Sequence, residues 1–153
     1  MEQSRFDEIM EFAIAKEEQA IDFYTKAGTI MKRPRLQEML SDLADQERGH
    51  KRRLEKLRSG EEGDIPRHIV GEIPDLQIAD VTETTEITAD SDYQDLLTVA
   101  MKREEKAHNL YTLLASNSTE SGLRKLFELL AQDEARHKLA LEKEYDEHVL
   151  TDN

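Results

Sequence analysis

Ala13-Ile-Ala-Lys-Glu-Glu-Gln-Ala-Ile-Asp-Phe-Tyr-Thr25 aligns without a gap on Ala100-Met-Lys-Arg-Glu-Glu-Lys-Ala-His-Asn-Leu-Tyr-Thr112. A shift of 87 residues carries Glu17 onto Glu104, Ala20 onto Ala107 and Tyr24 onto Tyr111. The same shift carries Leu36 onto Leu123, Leu43-Ala44 onto Leu130-Ala131, Glu47 onto Glu134, His50 onto His137 and Leu54 onto Leu141. The matched positions are alanines, leucines, one tyrosine and ionisable residues, while most surface positions between them differ. Self-similarity of this kind marks a duplicated structural unit.

Each unit reads as two helices. The first runs from Ser4 to Met31, with Ser4 and Asp7 as its start signal. Lys32-Arg-Pro34 breaks it, and Pro34 suits the first turn of a second helix that stops near Ser59-Gly60. The third starts at Ser91, with Gln94 completing a capping box. It ends in the polar run from Ser116 to Gly122, and the fourth continues to His148 before a fraying tail, Thr151-Asp-Asn. The expected organisation is a single all-α domain over 1–153: a helix pair 4–59, a crossover 60–90 and a helix pair 91–148.

The connections fix the topology. Short turns make the members of each pair antiparallel neighbours. A helix of 26 residues is roughly 39 Å long, and the crossover can run that length and deliver helix three parallel to helix two. Its apolar residues (Ile65, Ile69, Val70, Ile73, Leu76, Ile78, Val81) are expected to lie against the helices. Four helices with one long crossover and an internal two-fold repeat resemble the ferritin-like four-helix bundle.

Core positions on such helices recur at steps of three and four. The first stripe is Phe6, Met10, Ala13, Glu17, Ala20, Tyr24, Ala27; the second is Leu36, Leu40, Leu43, Glu47, His50, Leu54, Leu57. The third is Tyr93, Leu97, Ala100, Glu104, Ala107, Tyr111, Leu114; the fourth is Leu123, Phe127, Leu130, Glu134, His137, Leu141. Each is apolar except at its middle, where four glutamates and two histidines stand at similar depth. An unpaired buried carboxylate loses several kcal/mol of solvation, and four together repel one another. Two divalent cations cancel the charge, and neutral imidazoles complete the shell. Residues three apart share a helix face, so Glu47 and His50 reach one centre, as do Glu134 and His137.

A lone Glu-x-x-His on an acidic helix is ordinarily a solvated surface pair. Two in equivalent places on the core stripe, with a stripe glutamate on both other helices, point to metal. Glu17, Glu47, His50, Glu104, Glu134 and His137 are therefore the expected ligands. The stripe alanines and Tyr24 and Tyr111 suit plain core; equally, the alanines make room and the tyrosines bond ligand carboxylates. Glu18 and Glu105, one step off the stripe, read as a solvated flank or a labile extra carboxylate. His68, His108 and His148 have no matched partners and read as surface residues.

Composition narrows the function. A formal charge of −13 repels nucleic acid and anionic membranes. The absence of cysteine removes disulfides, thiolate ligands, catalytic thiols and a built-in iron–sulfur centre. No apolar run spans a bilayer and the N-terminus reads as no signal peptide, so a cytoplasmic location is expected.

Ala-x-x-x-Glu-Glu-x-Ala-x-x-Phe-Tyr in helix one, its copy in helix three, and Leu-Ala-x-Gln/Asp-Glu-x-x-His in helices two and four resemble the rubrerythrin-type branch of the ferritin-like superfamily. The resemblance covers nearly the whole chain. It implies two irons, with manganese or zinc as alternatives. It further implies that Glu47 and Glu134 bridge, that Glu17 and Glu104 are terminal, and that His50 and His137 each bind one ion. The chain departs from the family in two ways: it lacks the four cysteines of a rubredoxin-like domain, and Ala107 stands where rubrerythrins tend to carry a further glutamate. The missing glutamate brings the site nearer the six-ligand bacterioferritin type, and the missing cysteines put the electron donor on a separate partner. A two-metal site held by hard carboxylates, which stabilise the ferric state, is expected to make the chain an oxidoreductase that reduces hydrogen peroxide, or oxygen less efficiently, with electrons from that external donor. A ferroxidase or iron-storage protein is the alternative. A homodimer is expected, with exchange of helix pairs through the 60–90 linker left open.

Overall fold

The protein is described here by a computed structural model, in which residues 2–61, 87 and 92–150 are described. They form α1 (Glu2–Ile30), α2 (Pro34–Ser59), α3 (Tyr93–Ser116) and α4 (Ser121–Tyr145), followed by a π-helical turn, Asp146–Leu150. There is no strand among the described residues. Of the crossover, residues 62–86 and 88–90, His68 among them, lie outside the described set, as does the tail Thr151-Asp-Asn.

Local chemistry sets the helix ends. Pro34 sits at the first turn of α2, where its missing N–H costs nothing. Gln37 ties the preceding turn by donating its amide to Gly28 O and Met31 O. Gly60 ends α2 in the left-handed region at φ 86°, which only glycine adopts freely. Ser91, expected to form a capping box with Gln94, lies outside the described residues. Asp92 caps α3, accepting from Asp95 N, because aspartate at the adjacent position makes the same bond to the third residue on. Gln94 bonds Tyr145. Glu120 caps α4 in the same way, through Leu123 N.

Two apolar clusters fill the bundle. One joins Phe6 and Met10 of α1, Leu54 and Leu57 of α2, Leu114 of α3, and Leu123 and Phe127 of α4. The other joins Phe23 of α1 and Met31 just past its end, Leu36 and Leu40 of α2, Ile87 ahead of α3, Leu96 and Leu97 of its first turns, and Leu141 of α4. The start of α2 and the start of α3 thus share one end, so these two helices run parallel and the expected crossover topology holds. Truncating a fully buried ring such as Phe127 would remove about 3–5 kcal/mol.

The stripe positions are buried with three exceptions. Ala20, Ala107 and Tyr93 are half-buried. The two alanines are too small to close the space between α1 and α3, and this space opens as a groove.

Candidate metal centre

Between the apolar clusters lies a layer of charge. All six expected residues are buried in it: Glu17, Glu47, His50, Glu104, Glu134 and His137 are each 5% exposed or less. Their ligand atoms fall into two groups, Glu17/Glu47/His50/Glu134 and Glu47/Glu104/Glu134/His137, with all atoms of a group within 4.8 Å of one another. Glu47 and Glu134 belong to both groups.

Hydrogen bonds hold the outer side of Glu17, Glu104, His50 and His137 and leave the inner side of each open. Tyr111 Oη donates to Glu17 Oε1 at 2.7 Å, and Tyr24 Oη donates to Glu104 Oε1 at 2.5 Å. Each tyrosine thus serves the glutamate of the other half. His50 Nε2 meets Asp133 Oδ2 at 3.2 Å, and His137 Nε2 meets Gln46 Oε1 at 2.7 Å. These contacts leave Nδ1 of both imidazoles facing inward, His50 at 3.3 Å from Glu47 and 3.4 Å from Glu134, His137 at 3.2 Å from Glu134 and 3.5 Å from Glu47. The two rings lie nearly parallel, 5.9 Å apart.

The free atoms are unpartnered. Among the described residues, the buried side-chain oxygens and nitrogens without a hydrogen bond are Glu17 Oε2, Glu47 Oε1, His50 Nδ1, Glu104 Oε2, both oxygens of Glu134, and His137 Nδ1. Every one belongs to these six residues and points into the same layer. Buried polar atoms are ordinarily paired, and orphaned charged ones cost several kcal/mol. Hard carboxylates with neutral imidazoles are a donor set for divalent first-row metals, so the residues present fit two metal ions.

Without metal the cluster holds protons. Burial pushes Glu17 up to about 7, with the charge of Glu47 adding to it. Burial likewise raises Glu104, and raises Glu134 well above the usual carboxylate range, helped by the charges of Glu104, Glu47 and Glu17. Burial alone would lower His50, but the adjacent carboxylates of Glu17 and Glu47 lift it to about 10. His137 rises for the same reason through Glu104. Burial and the adjacent carboxylates keep Tyr24 and Tyr111 protonated, so they remain donors.

A groove of about 810 Å³ opens between α1 and α3, with Ala20 and Ala107 in its wall, and reaches Glu17, Glu104, Glu47 and Glu134. Glu18 and Glu105 stay out of the layer. Each is turned to a lysine on the paired helix, Lys51 at 2.7 Å and Lys138 at 3.8 Å, and the 87-residue shift relates these two pairs as well.

Two histidines differ from their surface expectation. His108 is half-buried and its Nδ1 contacts Ala131 O at 2.9 Å, because the tight α3–α4 packing brings that carbonyl within reach. His148 is partly covered and meets Arg35 at 2.6 Å, since the π-helical turn folds it back. Sequence reading met Gln46 and Asp133, which the repeat pairs with each other, only as the Gln/Asp of the motif and gave them no role. It passed over Glu144, which stands three residues past Leu141 on the α4 stripe and could have been read there.

An all-α bundle with α2 parallel to α3, and a buried carboxylate–histidine layer able to hold metal, defines the ferritin-like class. The rubrerythrin family model matches residues 8–88 and 95–153, and the chain belongs to that family. A hypothetical protein from Pyrococcus furiosus is similar in structure, with a TM-score of 0.70, 29% identity, and coverage of 92% of this chain and 88% of that one. A protein from Thermotoga maritima described as ferritin-like and diiron-carboxylate has a TM-score of 0.70 at 21% identity, covering 94% of this chain and 95% of its own. Among curated proteins none matches. No helix among the described residues is long and apolar enough to cross a membrane.

Proposed function

We propose that the chain is a non-haem di-iron oxidoreductase that reduces hydrogen peroxide, or oxygen less efficiently, with electrons from an external donor. The observation that carries this reading is the set of seven orphaned ligand atoms, all converging on one layer. Glu47 and Glu134, common to both ligand groups, would be shared by two metal ions. Glu17 with His50, and Glu104 with His137, would complete their ligand sets. A bound pair of ferrous ions supplies the two electrons that take peroxide and two protons to two waters.

The protein's own residues set the conditions. Tyr24 and Tyr111 hold the outer oxygens of Glu104 and Glu17, so each presents one oxygen inward. The apolar clusters above and below exclude bulk water. The groove between α1 and α3 admits a molecule the size of peroxide to the open side of the layer. The chain has no cysteine, so an electron relay must come from a partner. A reducing cytoplasm suits such a partner.

Stopped-flow mixing of the anaerobic diferrous protein with peroxide and, separately, with oxygen tests the reading. Peroxide is expected to oxidise the centre at least tenfold faster. Equally slow oxidation by both would overturn it. Continued iron uptake past two ions per chain, with mineral formed in an enlarged assembly, would instead identify a ferroxidase.

A further inference from the structure

The internal repeat provides its own control. The inward donors of the two halves are the same residue types, and the tyrosine bonds to Glu17 and Glu104 match. Behind the histidines the halves differ. Asp133 of α4 stands behind His50, and Gln46 of α2 stands behind His137. The 87-residue shift maps 46 onto 133, so this is a carboxylate in one copy and an amide in the other.

From this difference we infer that the two metal positions are unequal: the His50 position, backed by Asp133, binds more tightly and fills first. The His137 position, backed by Gln46, fills second and exchanges more readily. This rests on the metal-centre reading above.

The argument has three parts. A carboxylate is an acceptor only, so it accepts from Nε2–H of His50 and leaves Nδ1 as the bare donor to metal. An amide presents an oxygen or an NH2 group after a flip, so Gln46 permits the tautomer that puts the proton on the inward Nδ1. A charged acceptor also strengthens the bond and raises the basicity of the imidazole. Bond length argues the other way, because the Gln46 contact is 2.7 Å and the Asp133 contact 3.2 Å. Length alone supplies neither charge nor tautomer selection, so the carboxylate prevails. Arg136, at 2.7 Å from the other Asp133 oxygen, holds that carboxylate in its orientation. The Gln46 copy has no such brace, since Gly49 occupies the position equivalent to Arg136.

The test is an anaerobic titration of the metal-free full chain with cobalt(II), followed by its visible spectrum. Wild type is expected to bind in two steps separated by tenfold or more in affinity, the range over which outer partners of ligating histidines act. The spectrum of the first step should survive His137→Ala and be lost in His50→Ala. Gln46→Asp should tighten the second step, and Asp133→Asn should weaken the first. The double exchange Gln46→Asp/Asp133→Asn should reverse the order of filling. Circular dichroism confirms that each variant keeps its helices, and the exchange gives a gain that mere damage cannot produce. Two equal steps in wild type, a first step that needs His137, or an unchanged gap in the variants would overturn the inference while leaving the metal centre standing. No cobalt bound at all would overturn the centre itself, and the inference with it.

Discussion

Two groups of buried acid sit in this bundle, and they are built in opposite ways. Glu144, only 8% exposed, is fully partnered: Arg35 reaches one oxygen at 2.7 Å and Tyr93 donates to the other at 2.5 Å. The network ties the starts of α2 and α3 to the end of α4. In the central layer only Glu17 and Glu104 have a tyrosine on their outer oxygen, Glu134 has no hydrogen-bond partner on either oxygen, and the inward atoms of all four glutamates converge without one. Burial of charge alone therefore does not mark a functional site. What separates the two groups is whether the protein itself satisfies the charge. At Glu144 it does, so that residue is structural. In the layer it does not: seven buried ligand atoms stay without a hydrogen bond, and that is what supports the proposal that the layer holds metal.

The sharpest break in this comparison comes from Glu134, which both positions share. Glu134→Ala should abolish loading at both, with metal content by elemental analysis falling from two ions per chain to fewer than one. Glu144→Ala should leave metal content at two.

The central layer should also respond to acidity. A carboxyl raised by folding keeps a proton that the unfolded chain releases. Its contribution is therefore full below the ordinary value of 4.5 and is lost as pH climbs through the folded value, about 7 for Glu17. His50 acts in the same direction, with stability present below 6.5 and lost as pH rises through about 10. The metal-free protein should thus lose stability between pH 5 and pH 8, on the order of 3 kcal/mol for a shift of this size. Urea unfolding at the two pH values measures it. The metal-loaded protein should show no such loss, because ligands must shed their protons to bind and affinity rises with pH.

Arg35→Ala should destabilise the protein with or without metal by about 2 kcal/mol, since it leaves Glu144 buried with one partner fewer. Thermal unfolding of both forms checks this, and an effect confined to the loaded form would blur the distinction drawn here. The smallest effect belongs to the tyrosines. Tyr24→Phe or Tyr111→Phe should weaken metal binding by about tenfold while the helices remain.

Much of this was legible in the sequence because the repeat and the stripe depend on local periodicity. Each of the six central residues falls where a step of three or four places it, and the turn at Pro34 and the stop at Gly60 follow from backbone chemistry. Contacts across helices were less legible. Tyr24 reaching Glu104 rather than its own half needs the relative placement of α1 and α3. The same holds for Asp133 behind His50 and Arg35 against Glu144, pairs that lie 83 and 109 residues apart. The shift from Ser91 to Asp92 as the cap of α3 is a choice between adjacent good caps, which spacing alone does not settle. Ile87, buried beside Tyr24's end of the core, was hidden among many apolar residues of the crossover.

The central claim is that the orphaned layer is a two-metal centre. Anaerobic titration of the metal-free protein with ferrous iron, with melting temperature recorded at each addition, tests it most directly. The account predicts saturation at two ions per chain, a steady rise in melting temperature up to that point, and no response in Glu134→Ala. A wild-type protein that melts at the same temperature with and without iron, or a Glu134→Ala variant that binds as well as wild type, would contradict it.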